Sequence, residues 1–248
     1  MNFDFSEDQK YLAGEARKFL EAESAIPVVR EVLNDDDKAY SEGLWKKIAE
    51  MGWLGTAVPE EQGGLGLGML EMCVLAEEMG RVLAPVPFSS TAYFLTEAVK
   101  LAGSDDVKND ILPRVVAGEI IGCYAASEGP GHPDPASLKT TFDGSTVSGT
   151  KIPVTDGGIA THAVVLAKEG SGASLVLVDL SGAGVTRKTL STLDPTRGHA
   201  ELTFDKTPGV RLGAAGDGAS LNDQLMDKVA VLLAFEQLGG ASRALEMA

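Results

Sequence analysis

Near residue 119 the spacing of apolar residues changes from helical intervals to alternation, and at Gly218 it changes back. A chain with that pattern has to pack helices against β structure around more than one layer. Ser6 and Gln9 have capping-box spacing, and Leu12, Ala16, Phe19 and Leu20 recur behind them as the buried side of a first helix. After a loop around Asn34 to Lys38, a second helix carries Leu44, Trp45, Ile48 and Met51 and ends at Gly52 in a left-handed cap. The glycine-rich stretch over 52–68 reads as a packed connector or a lid. A third helix runs from Met69 to about Val82 and is stopped by Pro85 and Pro87. Ser89 or Ser90 caps a fourth, and Ser104 a fifth that Gly118 closes.

From Glu119 the apolar run Ile120–Ala126 reads as a strand that breaks at Ser127-Glu128-Gly129-Pro130 and re-enters as a hairpin. Segments 146–152, 163–167, 174–180, 185–190 and 200–204 alternate between Gly- and Asp-rich turns, which predicts an antiparallel sandwich or barrel. From Gly218, Leu221, Leu225, Val229, Leu232, Leu233, Leu238 and Leu245 predict a helix that runs to the last residue. The expected architecture is α+β: an all-α domain over 1–118, a β domain over 119–215, and over 216–248 the first helix of a C-terminal bundle.

The formal net charge of -15 argues against nucleic acid or an anionic membrane as partner. Cys73 and Cys123 lack metal or CxxC spacing, which fits a reducing, cytoplasmic setting, and neither a leader nor a membrane-length apolar run is seen. The apolar face from Leu225 to Leu245 calls for partner helices and hence an oligomer.

Several motifs, in order, resemble the acyl-CoA dehydrogenase family. They are Phe3-Asp4-Phe5-Ser6-Glu7-Asp8-Gln9, Pro59-Glu60-Glu61-Gln62-Gly63-Gly64-Leu65-Gly66, Tyr124-Ala125-Ala126-Ser127-Glu128, Ser148 through Asp156, and Ala241-Ser242-Arg243-Ala244-Leu245. The resemblance implies FAD as cofactor, held by Tyr124, Ala126, Ser127, Pro153, Val154 and Thr155. It implies an acyl-CoA substrate touching Pro133 and Arg197, and an electron-transfer flavoprotein as acceptor. The implied reaction removes an α-proton to a carboxylate and passes a β-hydride to the flavin. An isoalloxazine ring needs an apolar wall and a few donors along one edge, and the Ser127 and Thr155 hydroxyls on neighbouring strands suit that edge.

Departures from the family pattern bear on the same positions. Pro133 stands where a serine hydroxyl is expected, and Pro153 where a tryptophan covers the ring. His132 lies on the intervening loop. The family's base is expected beyond Ala248, or on the last helix, where Val229 occupies the matching position. Asp227 and Glu236 nearby could substitute for that base but read first as surface carboxylates, and Arg197 as a solvated charge unless it holds a phosphate. Lys228 lies two positions before Ala230, where the family carries a basic residue. Two other readings share this fold: a non-catalytic subunit of a heteromeric dehydrogenase, and a flavin oxidase or monooxygenase.

Overall fold

A computed structural model describes residues 4–35, 39–131, 133–194 and 196–248. His132 and part of the expected 34–38 loop lie outside them. The chain begins with α1 (Glu7–Glu23), whose Ser6–Gln9 capping box is formed reciprocally. Next come α2 (Ile26–Asn34), α3 (Glu42–Glu50), α4 (Met69–Arg81), α5 (Thr96–Ala102) and α6 (Asp105–Val116). α2 is absent from the periodicity reading, although Pro27 in its first turn is an ordinary start signal. Gly52 ends α3 at φ 74°, as its position predicts.

The glycine-rich stretch is a packed connector. Leu65, Gly66 and Leu67 donate to the carbonyls of Gly55, Val58 and Thr56, and a Cβ on Gly64 would meet the Val58 carbonyl oxygen at 2.1 Å. Neither Ser89 nor Ser90 caps a helix. Both belong to a π-helical segment, Ser89–Leu95, that runs straight into α5, and their hydroxyls are used elsewhere.

Eight strands form one sheet: β1 (Gly122–Ala125), β2 (Thr141–Phe142), β3 (Thr146–Thr155), β4 (His162–Glu169), β5 (Gly172–Asp179), β6 (Val185–Leu190), β7 (His199–Pro208) and β8 (Val210–Leu212). The order is β6-β7-β3-β2-β4-β5-β8, with β1 beside β4. Most pairs are antiparallel, as the turn spacing implies. β1 and β2 instead run parallel to β4, because the segments leading from each of them to β4 bring the chain back in the same direction. Helix α7 (Gly218–Met247) closes the structure.

α7 packs on both layers, and small residues decide how closely. A Cβ on Gly80 of α4 would stand 1.9 Å from the Glu236 carbonyl oxygen, one on Gly239 1.9 Å from that of Glu77, and one on Gly218 2.5 Å from the Ser174 backbone. Leu225, Val229 and Leu232 are thereby buried within this chain, which corrects the expectation that the whole apolar face is exposed. The exposed apolar residues of α7 are Val231, Leu238, Leu245 and Met247. Arg17 of α1 grips the buried Glu78 with two bonds of 2.9 and 2.6 Å, and Arg81 reaches Glu246 at 2.7 Å, tying α1, α4 and α7 together. Lys228 pairs with Glu97 of α5 at 3.1 Å. Among the described residues no helix is long and apolar enough to cross a membrane, and no cluster of metal-ligating side chains occurs.

Alanine is worth about 1 kcal/mol over glycine in an open helix, whereas overpacking a tight contact costs about 1–3 kcal/mol. Gly239→Ala is therefore expected to lower stability by about 1–3 kcal/mol. Gly14→Ala in α1, where nothing lies within 4 Å, should raise it by up to about 1 kcal/mol. Urea midpoints measured side by side check both signs.

Candidate functional site

Where the π-helical segment, β1, β3 and α7 meet, they enclose a cavity of about 480 Å³. β1 can lie against the segment because Gly122 has no side chain: a Cβ there would stand 2.4 Å from Leu95, and its N–H donates to Thr91 Oγ1 at 3.0 Å. Two residues on, Tyr124 stacks on Phe94 with ring centroids 5.4 Å apart and planes 16° from parallel. Its hydroxyl bonds Asn222 of α7. One aromatic side chain thus joins three elements and forms a flat wall.

Thr155 ends β3 on the opposite side. Its Oγ1 lies 3.2 Å from His199 Nε2, and His199 Nδ1 lies 3.0 Å from the Arg197 carbonyl. A carbonyl can only accept, so in neutral His199 the hydrogen sits on Nδ1, and Nε2 accepts from Thr155. The Thr155 hydroxyl then presents lone pairs to the cavity, a different polarity from the donor expected from sequence.

The cavity's polar end is built from groups not assembled by the sequence reading. Arg197 donates to Ser89 Oγ and to the Glu236 carboxylate. Asp156, in the left-handed region at φ 56° and almost wholly buried, accepts from Ser90 Oγ at 2.6 Å. Burial pushes the Asp156 carboxyl above its ordinary value, against the pull of Ser90 and Arg197. Burial pushes Glu236 up as well, with Arg197 opposing. Glu236 is thus not the surface carboxylate its neighbours in sequence suggest, whereas Asp227 is exposed. Arg197 is likewise a paired charge and not a solvated one. The Tyr93 hydroxyl is buried near Glu236 without a hydrogen bond of good geometry, and burial raises its pKa well above the ordinary value.

The expected site residues separate into groups. Tyr124, Thr155 and Arg197 line this cavity. Ala126 and Pro133 line a shallow cleft of about 210 Å³ formed by the loop after β1. Val154 is packed in the core and Pro153 is exposed, within the register shift between Lys151 and Val154 where β3 pairs with β7. Ser127 lies in the linking stretch, its carbonyl accepting from Ile152 N–H at 2.8 Å. Its side chain is half-buried and, among the described residues, its hydroxyl makes no hydrogen bond.

A buried lysine holds this junction. Lys151 is 0% exposed and donates to the Ala126 carbonyl at 3.0 Å and to Glu128 at 2.8 Å. Glu128 also accepts from the N–H groups of Lys139 and Thr140. Burial opposes ionisation of Glu128, but these bonds outweigh it and hold the carboxyl down at about 2. Two half-buried hydroxyls on mutually bonded segments, Thr155 paired with His199 and Ser127 without a partner among the described residues, together with the half-buried Phe94–Tyr124 wall, offer a polar set that fits the edge of a flat heteroaromatic cofactor.

Residues 6–119 match the acyl-CoA dehydrogenase N-terminal domain, and residues 123–207 the middle domain of the same family. The chain belongs to the acyl-CoA dehydrogenase family. An acryloyl-CoA reductase (NADH) from Anaerotignum propionicum is 28% identical over 264 residues, covering 100% of this chain and 66% of that protein. A crystal structure of an acyl-CoA dehydrogenase complexed with FAD from Bacillus anthracis superposes with TM-score 0.88 at 25% identity, over 98% of this chain and 44% of that one. The ChsE4-ChsE5 complex from Mycobacterium tuberculosis gives TM-score 0.86 at 25% identity, over 100% of this chain and 67% of that one. The chain spans 39% of the length of an isovaleryl-CoA dehydrogenase from Bos taurus, to which it is 32% identical over 66% of this chain, and 56% of acyl-CoA dehydrogenase FadE27 from Mycobacterium tuberculosis, to which it is 29% identical over 85% of this chain.

Asp156 and Glu236 make stability fall as pH rises. Each holds its proton in the folded protein at pH values where the unfolded chain has released it, so from about pH 4 upward the native state binds more protons. Asp156→Asn, which keeps an acceptor for Ser90, is expected to flatten part of that fall. Urea unfolding across about pH 4 to 7 measures it.

Proposed function

We propose that the protein takes part in FAD-dependent α,β-dehydrogenation of an acyl-CoA thioester to the trans-2-enoyl thioester, with an electron-transfer flavoprotein as electron acceptor. The observation that carries this reading is the convergence of the Ser127 and Thr155 segments beside Tyr124, in a chain of this family. When bound, the flavin supplies hydride acceptance. The chain's own part is to hold and orient. The Lys151–Glu128 pair fixes the end of the Ser127 segment, His199 aligns the Thr155 hydroxyl, and the Phe94–Tyr124 wall keeps one side of the cavity apolar and dry. Ala126, Pro153 and Val154 complete the proposed cofactor contacts, and Pro133 the contact with the thioester end. Pro133 and Pro153 offer shape and no donors, so hydrogen bonding rests on Ser127, Thr155 and backbone groups.

A second reading is a partner subunit in a heteromeric dehydrogenase, in which this chain's own site is not used. The two prolines and the ion pair inside the cavity favour it. The relative described as a ChsE4-ChsE5 complex is consistent with such an assembly.

The purified protein is expected to carry flavin absorbance, or to gain it on adding FAD, and to bleach anaerobically with acyl-CoA. Recovery of colour should be faster with electron-transfer flavoprotein than with air. A protein that stays colourless after added FAD would move the assignment to the partner-subunit role, and rapid recovery in air to an oxidase.

A further inference from the structure

The cavity has two ends of opposite chemistry. Phe94, Tyr124, Leu83 and Leu233 make an apolar barrel, while Arg197, Glu236 and Ser89 make a polar end, with Asp156 held behind by Ser90. A guanidinium carries five N–H donors, and among the described residues Arg197 uses its own on Ser89 and Glu236 alone. Its side chain is 32% exposed against 13% for Glu236, so the guanidinium is the more accessible member of the pair.

Three kinds of ligand end can be compared against that arrangement. A plain hydrocarbon end would cover the spare N–H groups and leave them unsatisfied, at about 1–3 kcal/mol. A carboxylate would bring a further acidic group to a space already lined by Glu236 and Asp194, and it would compete with Glu236 for the single guanidinium. An ammonium could not accept from the guanidinium and would face it at close range. A hydroxyl or carbonyl oxygen accepts from Arg197 without adding charge, and a hydroxyl can also donate to Glu236.

We propose that this cavity selects a ligand whose apolar body ends in a neutral oxygen function, a hydroxyl or ketone, received by Arg197 and Glu236. As a statement about the acyl group it rests on the thioester reading above. As a statement about the cavity it stands alone.

The test measures binding to the whole protein by calorimetric titration. One series is decanoyl-CoA, ω-hydroxydecanoyl-CoA and ω-carboxynonanoyl-CoA, and the other, free of CoA, is decanol against decanediol. The hydroxylated thioester is expected to bind about tenfold tighter than decanoyl-CoA, the worth of one hydrogen bond to a charged group. The ω-carboxy thioester should bind weakest, and decanediol should exceed decanol. In the neutral double variant Arg197→Met with Glu236→Gln, the preference should disappear. If no thioester binds while decanediol still exceeds decanol, the thioester reading fails and the cavity assignment holds. If the hydroxylated member exceeds its plain counterpart in neither series, or if the preference persists in the double variant, the inference is overturned. The wild-type ratios decide the matter even if that variant does not fold.

Discussion

Contact of backbone with backbone between α4 and α7 is the constraint from which the rest of the structure follows. At Gly80 and Gly239 neither helix interposes a side chain, and the carbonyls of Glu236 and Glu77 occupy the space a Cβ would need. Gly218 repeats the device where α7 starts against β5. Together these contacts set both the height and the rotation of a 30-residue helix. That placement puts Asn222 on the Tyr124 hydroxyl and Glu236 on Arg197. Shifting the crossing by one side chain would separate both pairs, since interiors at this density transmit displacement instead of absorbing it.

Buried charge is the second organising element, and it is confined to places where a loop or cavity needs direction. Lys151 lies wholly inside, yet every contact it makes fixes the strand end at Ala126 and Glu128 and the start of the chain's return at Lys139 and Thr140. Arg197 and Glu236 do the same for the segment between β6 and β7. Desolvating such pairs makes them poor sources of net stability. Their value is geometric: a carboxylate with several donors aimed at it tolerates only one arrangement of the backbone segments that supply them. Asp156, with its left-handed backbone and its Ser90 bond, joins the end of β3 to the π-helical segment by the same logic.

Much of the fold was legible because it depends on local chemistry. The capping box at Ser6, the left-handed cap at Gly52, the Ser104 cap and the alternation in β6 and along most of β7 are all decided by neighbours within a few residues, whereas β4 and β5 are buried on both faces and do not alternate. Elements decided by distant partners were read less well. Ser89 and Ser90 look like caps, but their hydroxyls serve Arg197 and Asp156, which lie 108 and 66 residues away. α2 is the exception, since Ile26, Val29 and Leu33 recur at helical intervals and Pro27 stands in its first turn, so its signals are local too.

The sequence by itself settled most of the element types, the order of helical and β regions and the family, because periodicity, caps and contiguous motifs are written in short windows. It also pointed to Tyr124, Thr155 and Arg197. Only the tertiary structure decided that these three share one cavity while Ala126 and Pro133 line another, that the Thr155 hydroxyl pairs with His199, and that Glu236 faces inward. The reason is physical. Whether a carboxylate on an amphipathic helix is surface or site depends on which face the helix buries, and here that face is chosen by glycines whose partners are the backbones of another layer.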